Sequence, residues 1–125
     1  MGNEEEMNAM EPNEDSQYWP AKAIIVLVTT ASEEEATTIG RAMVKQGLAA
    51  CANILPLKKS IFYWEGQIAE EQECLMIMKS RPVLFEELAM AVKRLHSYKV
   101  PEIIAMPIMK GSQDYLDWII ENTRK

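Results

Sequence analysis

Apolar and polar positions divide most of the chain into predicted strands and helices. Residues 22 to 30 are nearly continuous in Ile, Val and Leu, which is typical of a strand buried on both faces. Ser32 then offers an N-cap for a helix, acidic residues fill its first turn, and Gly47 suits the left-handed position beyond its end. The apolar spacing between them predicts one buried helical face, made by Ala36, Ile39, Met43 and Val44.

Two further apolar runs flank a turn. Residues 48 to 55 and 60 to 64 favour an extended chain, and Pro56 between them predicts one long, bent strand. Glu65 and Gly66 suit a hairpin turn, so residues 67 to 79 are expected to return as the next strand. Every position from 74 to 78 is apolar, which indicates that both faces of the returning strand are covered.

The remaining residues predict a helix, a strand and a terminal helix. Pro82 suits a first helical position, and the apolar residues after it repeat at helical spacing: Leu84, Leu88, Ala91, Val92 and Leu95. Residues 100 to 109 form an apolar run with prolines near its ends, and the apolar residues beyond Gly111 predict a short closing helix.

The resulting order β-α-β-β-α-β matches an α+β, ferredoxin-like sandwich with a C-terminal helix. Two helices would cover one face of its antiparallel sheet. The chain has no further long helix for the other face, which predicts an oligomer that buries it.

Charge separates an acidic arm from a neutral remainder. The acidic residues before position 20 lie in a stretch without Lys or Arg, and they account for the formal net charge of −6. The composition of residues 1–20 is that of a disordered segment, so the folded domain is expected at residues 21–125. Two interpretations of the arm stay open, a solvated tail that keeps the protein soluble and an interaction tail.

Composition also excludes several classes of protein. The acidic balance argues against nucleic-acid binding and against binding to a membrane surface. Neither a run of about 18 apolar residues nor a secretory signal is recognised, so a cytoplasmic protein with Cys51 and Cys74 as free thiols is expected. Motifs for phosphate, dinucleotide or zinc-protease sites are missing, which predicts a non-enzymatic protein and leaves a hydrolase as a minor alternative.

Four motifs in order resemble the CutA family of divalent-cation tolerance proteins. They are LAACANI at residues 48–54, YWEG at 63–66, HSYKVPEI at 96–103 and the ending from Gly111 to Trp118. The resemblance implies a ferredoxin-like subunit in a tight homotrimer, whose long second and third strands pair across subunit boundaries. It also implies a role in tolerance of copper and other divalent cations. Two alternatives are a small-molecule-sensing trimer similar to PII-type regulatory proteins and a structural, partner-binding trimer.

His96 and Cys51 are the candidate metal ligands. His96 is the only histidine, and an imidazole suits copper; the alternative is a helix-terminal histidine that bonds local carbonyls. Cys51 offers a thiolate, against the alternative of a small buried apolar residue. Copper assignments in the resembling family use a first-strand cysteine and a histidine pair, and Val28 and Leu95 occupy two of these positions here. The resemblance therefore implies only weak binding of copper or another divalent cation.

The motifs further imply a cleft between subunits for a small anion or a metal ion. Its residues are Tyr63, Glu65, Lys79, Tyr98 and Glu102, which offer carboxylate, amine and phenol groups. The alternatives are a hairpin-turn role for Glu65 and an intersubunit hydrogen bond for Glu102. Trp64 and Trp118 are expected at the trimer interface, where aromatic residues are enriched.

Overall fold

A computed structural model describes residues 21–124, whose four strands and three helices follow the predicted order. The strands are β1 (Ile24–Thr30), β2 (Cys51–Trp64), β3 (Gln67–Ser80) and β4 (Ile103–Pro107). The helices are α1 (Glu33–Lys45), α2 (Phe85–Leu95) and α3 (Gln113–Glu121), and a 3-10 turn at Pro82–Leu84 precedes α2. The predicted arm, residues 1–20, lies outside the described residues.

The strands form one antiparallel sheet in the order β2-β3-β1-β4. β3 is long enough to pair with two neighbours, because it pairs with β2 from Gln67 to Lys79 and its second half also pairs with β1. Both α1 and α2 pack on the same sheet face. The predicted α+β architecture with a four-stranded antiparallel sheet is therefore confirmed.

The main core lies between this sheet face and the two helices. Alternate strand residues point to the same face, so Val26, Met76 and Met78 are fully buried together. Ile39 of α1 and Leu88 of α2 pack against them. Cys74 is a free cysteine in the same core.

The opposite sheet face is apolar and remains open across its centre. Leu27 lies opposite Ile77 on one side and Ile104 on the other, and Ile104 is 50% exposed. α3 packs at one end only, where Ile119 contacts Ala23 and Ala50. The described residues thus leave this face uncovered, as expected for a chain without a further long helix to pack on it.

The β2–β3 hairpin projects beyond the rest of the sheet. β1 pairs with β3 only from Cys74 to Ser80, so the other half of the hairpin has no third strand beside it. Two residues between Leu57 and Ser60 face one residue of β3, and this bulge bends the strand as predicted. Glu65 and Gly66 have φ values of 52° and 80°, the left-handed pair of a tight hairpin turn.

Three details differ from the sequence prediction. Val44 is 43% exposed, because it lies at the flank of the buried α1 face beside the sheet edge. Leu95 is 45% exposed, because it ends α2. β4 covers only residues 103–107 of the predicted 100–109, since it pairs with β1 alone and that pairing stops at Val28.

Candidate functional site

His96 lies where α2 ends and the chain turns back towards β4. Its side chain is fully buried, with Nε2 2.7 Å from the carbonyl oxygen of Thr29. The backbone N–H of Tyr98 donates to Nδ1 over 3.0 Å. Because that N–H can only donate, Nδ1 must accept and Nε2 must carry the proton that Thr29 receives. Both ring nitrogens therefore serve the fold, which is the geometry of the carbonyl-bonding alternative.

Glu35 joins the same junction from the first turn of α1. Its carboxylate accepts from the backbone N–H of Ala31 at 3.1 Å and of Ser97 at 2.6 Å, and it lies 3.7 Å from His96 Nδ1. Burial acts to raise the pKa of Glu35, but the hydrogen bonds from Ser97 and Ala31 outweigh it and lower the pKa. Sequence reasoning assigned Glu35 only to the helix dipole. Its position three residues after the N-cap Ser32 was the available signal.

Tyr98 continues this junction towards the projecting hairpin. Its hydroxyl donates to Glu73 Oε2 over 2.7 Å, and Glu73 is only 9% exposed. Burial, the hydrogen bond to Glu73 and the negative charge of Glu73 all raise the pKa of Tyr98. The phenol is therefore a neutral donor at physiological pH. Glu73 lies outside the recognised motifs, so no feature of the sequence singles it out.

Cys51 lies at the other end of the sheet, in a separate cluster. Its Sγ is 3.9 Å from the hydroxyl of Tyr115 and 4.0 Å from Asn53 Oδ1. Lys79 Nζ also donates to Asn53, and the Tyr115 ring stacks on Trp118 with centroids 5.6 Å apart. Burial and the Cys51 contact raise the pKa of Tyr115. Cys51 is half-buried, more open than the apolar alternative expected.

The two candidate metal ligands do not meet within one chain. His96 bonds the backbone of Thr29, near the end of β1. Cys51 pairs with Lys79 of β3, and Lys79 in turn pairs with Ile25, near the start of β1. Ile25 and Thr29 are four residues apart along β1, which is about 14 Å at a strand rise of about 3.4 Å per residue. Metal–ligand bonds are about 2.0 to 2.3 Å long. Among residues 21–124, moreover, no three His, Cys, Asp or Glu side chains are grouped to hold a metal ion.

The remaining residues of the family's copper assignments also lie apart. Val28 is fully buried in the main core, and Leu95 lies at the surface end of α2. Neither side chain has a donor atom for a metal. The side chains of one chain therefore do not form a divalent-cation site of that type.

The predicted cleft residues are distributed over the whole length of the hairpin and beyond. Tyr63 and Glu65 are exposed at its tip, and Lys79 lies near the far end of β3. The ends of this 14-residue strand are about 44 Å apart at a rise of about 3.4 Å per residue. Tyr98 bonds Glu73 in between, and Glu102 is exposed just before β4. A cleft containing all five residues requires more than one copy of the chain.

The family model described as CutA1 divalent ion tolerance protein matches residues 24–122, almost the whole described chain. The chain belongs to the CutA1 family. The divalent-cation tolerance protein CutA of Thermus thermophilus is 50% identical over 99 residues, which cover 79% of this chain and 96% of that protein. The chloroplastic protein CutA of Arabidopsis thaliana is 41% identical over 102 residues, 82% of this chain. The chain spans only 56% of that plant protein.

Solved CutA structures share the fold. The Thermus thermophilus structure superposes with a TM-score of 0.80 at 48% identity, covering 82% of this chain and 99% of that chain. The Archaeoglobus fulgidus structure, named as a periplasmic divalent cation tolerance protein, has a TM-score of 0.79 at 42% identity, with the same coverage. These names refer to cation tolerance and to no catalysed reaction. Within residues 21–124, no helix has the length and apolar content to cross a membrane.

Proposed function

We propose that this chain acts in divalent-cation tolerance as a non-enzymatic homotrimer that binds copper or another divalent cation weakly. The observation that carries the proposal is the open apolar sheet face beside a projecting hairpin. Ile104 and Met106 are 50% and 46% exposed on that face, and Trp64 is 55% exposed at the hairpin tip. Contiguous exposed apolar surface of this kind marks an interaction site. Copies of the chain packed face to face would remove it from water.

Weak cation binding agrees better with the geometry than tight binding does. His96 has both nitrogens in hydrogen bonds within the fold, so ligation there requires one of them to break. Within the described residues, Cys51 belongs to no group of three His, Cys, Asp or Glu side chains, and its Sγ lies near the Tyr115 hydroxyl and Asn53 Oδ1. We therefore place the cation contacts between copies, where the exposed carboxylates of Glu65 and Glu102 are available. The ligand-sensing and partner-binding alternatives have no observation of their own in the single chain.

Light scattering combined with Cu(II) calorimetry on the same samples tests the proposal. We expect the mass of three 14.2 kDa chains and a shallow, saturable titration. Loss of saturation in His96→Ala, with the trimer retained, would assign a ligand to His96 despite its hydrogen bonds. If saturable binding survives in His96→Ala but disappears in Glu65→Gln or Glu102→Gln, the cation ligands are the carboxylates. A monomer would overturn the assembly, and a trimer without saturable binding would make cation tolerance indirect.

Trp64 is the predicted anchor of the interface. A large aromatic side chain exposed at the tip of a projecting hairpin is well placed to enter a neighbouring subunit. We expect Trp64→Ala to weaken assembly by about 2 kcal/mol or more, the usual cost of truncating an interface hot spot. Light scattering through a dilution series measures this effect. Met90→Ala, exposed on α2 away from the open face, is the matched control and should dissociate like the wild type.

Trp118 is the second proposed interface residue. It is 39% exposed and already stacks on Tyr115, so it presents one side of its indole to solvent.

The cytoplasmic localisation expected from the sequence stays a prediction, and the Archaeoglobus relative is named as periplasmic.

A further inference from the structure

Helix α3 is weakly held by its own side chains. Ile119 is the one buried residue of its nine, and it contacts Ala23 and Ala50. The N-cap residue Ser112 makes no side-chain hydrogen bond to the helix. Isolated helices shorter than about 12 residues are marginal in water, so a helix of this length depends on contacts with the rest of the fold. Residues outside α3 must therefore contribute to its position.

Arg124, shortly beyond the end of α3, connects this helix to the two others. Its backbone N–H donates to the Gly47 carbonyl over 2.8 Å and its Nε donates to the Gln46 carbonyl over 2.6 Å, both just after α1. Its guanidinium also pairs with the Glu87 carboxylate of α2. Arg81, just after β3, donates from Nη1 to the Arg124 carbonyl over 2.7 Å. Three segments of the fold therefore bind this one residue.

The two residues just before Arg124 are themselves bonded to α3. Thr123 is buried, and its Oγ1 donates to the Ile119 carbonyl over 3.0 Å. Asn122 Nδ2 donates to the Trp118 carbonyl over 2.8 Å. These bonds join the last turn of α3 to the segment that Arg124 fixes. A displacement of Arg124 is therefore transmitted to Ile119 and Trp118, because no unbonded linker lies between them.

α3 carries an aromatic pair at the Cys51 end of the open sheet face. The rings of Tyr115 and Trp118 stack with centroids 5.6 Å apart, and the Tyr115 hydroxyl lies 3.9 Å from Cys51 Sγ. Trp118 is 39% exposed, so its indole remains available for a contact outside the subunit. A side chain that is already ordered in the free subunit loses less conformational entropy on assembly. The position of α3 therefore decides how Trp118 is presented.

We propose that Arg124 is a positioning residue of the assembly, which anchors α3 to α1 and α2 and so holds Trp118 where a neighbouring subunit meets it. The inference rests on the proposed trimer, in which Trp118 lies at the interface. The Arg124 side chain bonds α2 and the end of α1, and both helices pack on the sheet face opposite the open one. Arg124 therefore acts through α3. The alternative is a cap, since Arg side chains also bond the last carbonyls of a helix, and only the end of α1 would then depend on Arg124.

Hydrogen exchange of the full chain distinguishes an anchor of α3 from a cap of α1. Arg124→Ala should make the α3 amides exchange about tenfold faster, because the guanidinium bonds to Gln46 and Glu87 no longer oppose detachment of the helix. Glu87→Gln should have a smaller effect, about threefold, since an exposed ion pair contributes little. Glu86→Gln, exposed on the same helix, is the matched control and should leave these amides unchanged. Faster exchange confined to the last turn of α1 in Arg124→Ala would show a cap and overturn the proposal.

Light scattering through a dilution series tests the effect on assembly. Arg124→Ala and Trp118→Ala should each raise the concentration at which the trimer dissociates by about tenfold. The double variant should dissociate like Trp118→Ala alone, because Arg124 acts through the indole. Arg94→Ala, which removes an exposed arginine from α2, is the matched control and should dissociate like the wild type.

Two results of this series would count against the proposal and leave the trimer itself intact. They are a wild-type dissociation curve for Arg124→Ala and additive effects in the double variant. A monomeric wild type would instead overturn the proposed trimer together with this inference.

Discussion

The imidazole of His96 joins three segments at the end of β1, and its removal should be costly. His96→Ala leaves the Thr29 carbonyl and the Tyr98 N–H without their partner. An unsatisfied buried polar group costs about 1 to 3 kcal/mol, so we expect the free energy of unfolding to fall by about 3 kcal/mol. Urea denaturation measures this loss. Arg94→Ala, on the exposed side of the same helix end, should change stability by less than about 0.5 kcal/mol. Equal losses in both variants would contradict a structural role for the imidazole.

Glu35 makes part of the stability dependent on pH. Its pKa is lowered in the folded state by hydrogen bonds from Ser97 and Ala31, which outweigh burial. The stabilisation is therefore complete above the unfolded pKa, about 4.3, and is lost as pH falls through the lower folded pKa. We expect Glu35→Gln to cost about 2 kcal/mol at pH 7, the usual value for hydrogen bonds to a charged group. Urea denaturation between pH 3 and 7 should show this cost shrinking below about pH 4. Glu33→Gln, exposed in the same turn, should show a small and constant difference; a constant cost for Glu35→Gln would refute the charge-dependent role.

At the scale of the elements, Gly47 after α1 and Gly66 in the hairpin turn both have left-handed backbones, but only Gly47 has neighbouring atoms that restrict a side chain. Gly47, beyond α1, has a φ of 73°, and an added Cβ would lie 3.0 Å from Cγ of Arg124. Arg124 is held there because its Nε donates to the Gln46 carbonyl over 2.6 Å. Gly66, in the hairpin turn, has a φ of 80° with nothing within 4 Å. We expect Gly66→Ala to cost about 1 kcal/mol from backbone strain alone and Gly47→Ala about 2 kcal/mol. Thermal unfolding of the pair measures the difference, and equal costs would show that Arg124 yields.

The elements were predictable because each depends on local chemistry. Ser32 caps α1 through the Glu35 N–H as its position indicated, and Glu65 with Gly66 forms the hairpin turn. The boundaries that failed depend on the neighbours of each element. Val44 is exposed because β2 is an edge strand, and β4 is short because only β1 pairs with it. Neither the edge position nor the pairing length is encoded in the periodicity of the segment itself.

At the scale of the whole molecule, the candidate site was less predictable from the sequence than the helices and strands were. The motif residues were recognisable in the sequence, and the junction of His96 and Tyr98 does form within one chain. Its acceptors were not recognisable, since Thr29 bonds through its backbone and Glu73 lies in a polar stretch without a motif. Tyr63 and Glu65, at the hairpin tip, lie about 40 Å from Lys79, given a rise of about 3.4 Å per residue along the 14-residue β3. Sequence order alone cannot say which residues of different copies meet, because contacts between copies leave no spacing along the chain.

The open sheet face gives the sharpest prediction for assembly. Ile104 lies on the edge strand β4, opposite Leu27 on that face, and is 50% exposed, so the isolated subunit tolerates a polar residue there. In the proposed trimer the same position is buried, and an unpaired buried charge is strongly unfavourable. We therefore expect Ile104→Glu to give folded monomers by light scattering, with the helix content of the wild type by circular dichroism. Met90→Glu adds the same charge at a similarly exposed apolar position on α2 and should remain trimeric. If Ile104→Glu stays trimeric, the open face does not form the interface, and the projecting hairpin alone must hold the subunits together.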